Sequence, residues 1–105
     1  MAEEQRLCGR EDLEPDTARR FDLGEYRIAL VRVGDDYFAL GDRCSHEDYS
    51  LSEGEVLSEE CEIECWKHGS TFDLRTGRPC SLPATKPVAT YRVRVTTAGV
   101  YVEVP

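Results

Sequence analysis

Apolar residues recur at every second position in several short runs, and no segment of ten or more residues carries the three-to-four spacing of a helix. The clearest run is Tyr26 to Val33. Tyr26, Ile28, Leu30 and Arg32 fall on one face, and Ala29, Val31 and Val33 on the other. Rich in β-branched residues and lacking helix caps, it is read as a strand. Gly34-Asp35-Asp36 makes a tight connection, and Tyr37 to Leu40 returns as the partner. Leu7 to Pro15 reads as a short strand followed by a polar turn, and Ala18 to Leu23 as a weaker strand closed by Gly24. Together these segments suggest a meander. Glu47 to Gly54 is a polar loop with Leu51 as its aliphatic anchor, and Glu55 to Leu57 fits a short strand. From Glu60 to Cys65, Glu60, Glu62 and Glu64 share one face and Cys61, Ile63 and Cys65 the other. That alternation predicts a strand with a solvated acidic side and a buried side, Cys61 being a core residue. Phe72 and Leu74 resume a strand, and Thr76-Gly77 closes a turn. Pro79, Pro83 and Pro87 make the stretch from Arg78 to Pro87 a loop, because proline has no amide to donate. Val88 to Thr96 and Val100 to Val104, turned at Ala98-Gly99, form a C-terminal hairpin. The fold class is all-β, with small antiparallel sheets.

At 105 residues the chain forms one domain, 1–105. It has no run of eighteen apolar residues, and its acidic N-terminus lacks the apolar core of a signal peptide. The cytoplasm is the expected compartment, and there five cysteines argue against a disulfide framework. The net charge of −8 is uneven. Residues 1–64 hold 7 basic and 19 acidic side chains, net −12, and residues 65–105 hold 6 and 2, net +4. Such a chain suits neither nucleic acid nor an anionic membrane, and its field favours a basic protein partner. The glutamates from Glu53 to Glu64 form either a docking face or simply a solvated one.

Both histidines of the chain stand beside cysteines, in Cys44-Ser45-His46 and in Cys65-Trp66-Lys67-His68, with eighteen residues between the two stretches. In an extended segment residues i and i+2 point the same way, so Cys44 and His46 face one centre together. Gly69 permits a tight turn after His68. Two thiolates and two imidazoles make a metal site of mixed sulfur and nitrogen ligation. A structural zinc would be closed and tetrahedral, but zinc modules usually present their cysteines as one pair and their histidines as another. Here each stretch supplies one of each. The alternative is a [2Fe–2S] cluster on which two histidines replace two cysteines. Cys8, Cys61 and Cys80 remain outside the set, an odd number that leaves at least one free thiol.

The pattern Cys-x-His, eighteen residues, Cys-x-x-His-Gly resembles that of the Rieske ferredoxin family, met here by Cys44, His46, Cys65, His68 and Gly69. The resemblance continues through Phe72-Asp73, Thr76-Gly77, Leu82-Pro83-Ala84 and Tyr91-Arg92-Val93, and less strongly from Leu13 to Leu40. It implies a Rieske-like fold with a cluster-binding subdomain, about 42–86, inserted before the C-terminal hairpin. It also implies that Cys44 and Cys65 bind one iron of a single [2Fe–2S] cluster and that His46 and His68 bind the other. With two ferric ions, two sulfides and two thiolates such a centre is neutral when oxidised, whereas four cysteines would make it −2. An added electron then costs less, and potentials span about −150 to +300 mV. High-potential members of the family carry one more cysteine in each ligand loop, joined as a disulfide. Tyr49 and Lys67 stand at those places, and Phe72 stands where they offer a tyrosine hydroxyl. Ser70 keeps a serine donor. The low end of the range is therefore expected. The free ring nitrogens of His46 and His68 imply a midpoint that falls with rising pH in the alkaline range. Leu82-Pro83-Ala84 is implied as a third loop over the cluster, and Trp66 either packs over its loop or faces a partner.

Without a nucleotide motif, a phosphate-cradling loop or a histidine outside the ligand set, the chain is not expected to be an enzyme by itself. The resemblance implies a monomeric one-electron carrier between a reductase and a non-haem iron oxygenase. A small Rieske subunit of another system, such as assimilatory nitrite reductase or iron–sulfur cluster assembly, is the alternative, and a structural zinc module is the third reading.

Overall fold

The computed structural model describes residues 3–44, 49–67, 69–82 and 84–105. Nine strands follow in order: β1 Glu3–Cys8, β2 Thr17–Leu23, β3 Tyr26–Val33, β4 Asp36–Gly41, β5 Glu55–Leu57, β6 Glu62–Glu64, β7 Thr71–Asp73, β8 Thr90–Thr96 and β9 Gly99–Val104. Two single-turn 3-10 helices, Arg10–Asp12 and Leu51–Glu53, interrupt them, and no α-helix occurs among the described residues. Among the described residues no helix is long and apolar enough to cross a membrane. One sheet has the order β1-β9-β8-β4-β3-β2 and the other the order β5-β6-β7. All their pairings are antiparallel.

The β3–β4 hairpin places the second sheet. Val33 pairs with Asp36, which leaves Gly34-Asp35 as a two-residue loop, and Gly34 takes the positive φ (59°) that such loops require. Ile28, Ala29, Leu30 and Val31 are all fully buried, so both faces of β3 are covered. Ile28 and Leu30 join Tyr37, Ala39, Val100, Val102 and Val104 in a core inside the six-stranded sheet. Val31 and Leu40 face the other way. They pack with Cys44, Leu51, Cys61, Ile63, Cys65, Phe72 and Leu74 in a second core. The outer face of β3–β4 is thus the floor on which the three-stranded insertion rests.

Three segments differ from expectation. β1 spans Glu3 to Cys8 and so begins before Leu7, where the sequence places the first strand, because β9 lies alongside it and pairs Glu3 with Val104. β6 is shorter than the alternation from Glu60 to Cys65. Cys61 sits in a turn at φ 57°, yet its side chain still points inward, so the burial pattern outlasts the strand. The meander and the C-terminal hairpin share one sheet. Ala39 pairs with Tyr91 and Leu40 with Thr90, and the Gly41 N–H donates to the Ala89 carbonyl at 2.8 Å. The acidic side of the small sheet sets like charges across from each other, Glu55 opposite Glu64 and Glu62 opposite Asp73, a mildly destabilising arrangement.

Candidate metal centre

Cys44 and Cys65 are buried in the second core, and each opens a loop closed in the same way. The Cys44 N–H donates to the Tyr49 carbonyl at 2.9 Å, and the Cys65 N–H donates to the Ser70 carbonyl at 2.7 Å. In each case the acceptor lies five residues on. The second loop is tightened further by the Gly69 N–H, which donates to the Cys65 carbonyl at 3.0 Å with Gly69 at φ 76°. β4 delivers the first cysteine and β6 the second.

The first loop stands on Asp42, whose side chain is fully buried. One carboxylate oxygen accepts the Ser52 N–H at 2.8 Å, and the other accepts the Ser50 hydroxyl. Arg20 Nε lies 3.9 Å from that second oxygen. The Asp42 backbone is also engaged: its carbonyl accepts the Leu51 N–H at 2.6 Å, and its N–H donates to the Arg27 carbonyl at 2.9 Å. A buried carboxylate is costly unless so satisfied. By sequence Gly41-Asp42 reads as a break that ends the strand and leads into the first ligand stretch. The signal that identifies Asp42 is Ser50-x-Ser52 at the far end of the same loop.

The second loop stands on the segment after β7. Ser70 is fully buried, and its hydroxyl oxygen accepts the Ala84 N–H at 3.1 Å. The Ser81 hydroxyl oxygen accepts the Thr71 N–H at 2.9 Å, and the Cys80 N–H donates to the Thr71 carbonyl at 2.7 Å. The third loop is therefore tied to the second cysteine loop, with Leu82 left 78% exposed at its tip. Gly54 joins the two supports. A Cβ there would lie 1.7 Å from the carbonyl oxygen of Glu64, the residue before Cys65, so only glycine fits.

His46, His68 and Pro83 lie outside the described residues. Trp66 is half exposed, and its ring meets Tyr49 edge-on with centroids 5.1 Å apart, so it packs over its loop while keeping an open side. All five cysteines are unbridged. Burial, helped by the negative charge of Asp12, pushes the Cys8 thiol above its ordinary pKa, and burial does the same to Cys61. Cys80 is exposed as a residue, yet desolvation and a hydrogen bond to Glu62 raise its thiol as well. None of the three is an activated thiolate.

Among the described residues no three His, Cys, Asp or Glu side chains converge as a metal site, both histidines being outside them. The two described donors nevertheless fit an iron–sulfur cofactor. They are buried, unbridged thiols in one core, each at the mouth of a loop that carries a histidine two or three residues further on.

The description of the Rieske [2Fe-2S] domain matches residues 3–92. The chain belongs to the Rieske [2Fe–2S] family, and its cofactor is one Rieske-type cluster. It is 39% identical over 98 residues to the ferredoxin subunit of 3-phenylpropionate/cinnamic acid dioxygenase from Escherichia coli (strain K12), covering 93% of this chain and 91% of that one. The ferredoxin of carbazole 1,9a-dioxygenase from Nocardioides aromaticivorans IC177 superposes with a TM-score of 0.91 at 34% identity, over 97% of each chain. A chain in the complex of reduced oxygenase and oxidized ferredoxin in carbazole 1,9a-dioxygenase superposes at 0.86 with 39% identity, over 94% of this chain and 91% of that one. These likenesses place the chain among the electron-carrying components of multicomponent oxygenases, not among catalysts that act alone.

Proposed function

We propose that this ferredoxin takes single electrons from a reductase and delivers them to a non-haem iron oxygenase, through a cluster held by Cys44, His46, Cys65 and His68. The observation that carries the ligand assignment is the pair of matched loops, each closed from the cysteine N–H to the carbonyl five residues on, with both thiols in one core. The cluster, when bound, accepts and releases one electron. Around it this chain's residues set the conditions. Ser70 already accepts a hydrogen bond from the Ala84 N–H, so its own O–H is turned elsewhere in the buried interior, as a donor to the cluster requires. Phe72 is fully buried and brings no hydroxyl. Tyr49 and Lys67 exclude a disulfide between the loops. The potential accordingly belongs near the low end of the family range, toward about −150 mV. Exposed Leu82 and half-exposed Trp66 give the cysteine-loop end an apolar rim for a protein partner. The region from Asp42 to Lys86 acts as the cluster-binding subdomain of a monomeric protein working in the cytoplasm.

Purified protein tests this reading directly. It is expected to be red-brown, with the low-average-g electron paramagnetic resonance signal of a histidine-ligated cluster once reduced, and Cys65→Ala or His68→Ala abolishes both. A colourless protein containing zinc would overturn the cluster assignment. A pull-down that recovers a nitrite reductase and no oxygenase would overturn the partner assignment.

A further inference from the structure

The two cysteine loops are joined at the surface by three side chains that the ligand set does not use. Tyr49 ends the first loop, and Trp66 and Lys67 lie in the second. The Tyr49 and Trp66 rings meet edge to face, 5.1 Å between centroids and 82° between planes. This is a favourable geometry for aromatic quadrupoles. Lys67 Nζ stands over both rings, 6.0 Å from the Tyr49 centroid and 5.9 Å from that of Trp66. Both distances are within reach of cation–π attraction. Tyr49 also packs against the core that holds Cys44 and Cys65. The Tyr49 contacts to Trp66 and to Lys67 cross from one loop to the other, and Tyr49 and Lys67 stand at the positions where a disulfide is implied in high-potential members of the family.

We infer that Tyr49, Trp66 and Lys67 form a non-covalent clamp that holds the two ligand loops together over the cluster, and that the Lys67 charge, fixed there by the two rings, favours the reduced cluster. The inference rests on the ligand assignment proposed above. All three are positioning residues. A lysine in this place does two jobs that a disulfide divides differently: it ties the loops, and it brings a positive charge next to Cys65 and His68 in the chain. The tie is reversible, and it opens when either ring or the cation is removed.

The test uses the cluster-loaded protein and a double-mutant cycle on Tyr49→Ser and Lys67→Met. The readouts are the rate at which visible absorbance bleaches in excess EDTA and the midpoint potential. Each single variant is expected to lose its cluster about tenfold faster than the parent. The double variant should lose it no faster than the quicker single, because both substitutions open one clamp. Tyr49→Phe and Lys67→Arg keep ring and charge and should bleach at the parent rate. Lys67→Met should lower the midpoint while Lys67→Arg leaves it in place, a split that a purely structural role does not produce. Parent-like bleaching in both single variants, or additive effects in the double, would overturn the clamp. An unchanged midpoint in Lys67→Met would overturn the role of the charge. A parent protein without the histidine-type resonance signal would instead overturn the ligand assignment, which separates the two failures.

Discussion

The two cysteine loops are closed by the same backbone hydrogen bond and supported by different chemistry. The first rests on a buried charge, Asp42, with Ser50, Ser52 and Arg20 around it. The second rests on neutral hydroxyls, Ser70 and Ser81, which tie it to the segment after β7. A buried carboxylate makes strong hydrogen bonds and tolerates no loss of a partner. Hydroxyls make weaker bonds and leave less behind when removed. The first loop is therefore the stiffer and more brittle support, and the second the more forgiving.

Substitutions can break this contrast. The largest effect is expected from Gly54→Ala, because the new methyl would strike the carbonyl of Glu64, the residue before Cys65. It should cost about 3 kcal/mol or more and empty the centre, as read by thermal unfolding and iron content. Asp42→Ala comes next, at about 3 kcal/mol, since it strands the Ser50 hydroxyl and the Ser52 N–H. Asp42→Asn should recover part of that loss in the same melt. Ser81→Ala removes a weaker set of bonds to Thr71 and should cost about 1 kcal/mol, measured by urea titration. If Ser81→Ala proved as damaging as Asp42→Ala, the contrast between charged and neutral support would fail.

The smallest effect lies away from both loops and serves as their control. Arg94 makes a two-point ion pair with Glu4 between β8 and β1. The hydrogen bond from Arg94 holds the Glu4 carboxyl below its ordinary pKa. Its contribution is complete above the unfolded carboxylate pKa and disappears as pH falls through the lowered folded value. Because the pair is exposed, Glu4→Gln should shift the acid limb of a melting-temperature profile only slightly and leave cluster retention unchanged.

Much of the frame was legible because alternation reports burial directly. β3 matches its predicted span, Tyr26 to Val33, and the inward set Cys61, Ile63 and Cys65 is buried as expected. Alternation does not report backbone shape, so the left-handed turn at Cys61 was invisible. Nor does it report partners distant in sequence. The first strand was read only from Leu7, because the pairing that extends it back to Glu3 comes from β9, about a hundred positions later. Asp42 looked like a turn residue because what keeps it buried is a pair of serines 8 and 10 positions later. The spacing of the two cysteines and two histidines is a local signal that does not depend on the rest of the fold, and of the four the structure describes the two cysteines, buried in one core.

The pairing of β1 with β9 has a consequence for how the molecule is made. β5, β6 and β7 are consecutive, so β6 meets β5 and β7 meets β6 as soon as each is synthesised. β1 is synthesised well before β9 and has no partner until β9 has followed it. Closing so long a loop carries an entropic cost that short-range pairing avoids. The sheet that presents Cys65 can thus gather its own hydrogen bonds while the larger sheet still lacks an edge. Chain topology thus makes the seam between β1 and β9 the last pairing of the larger sheet to close.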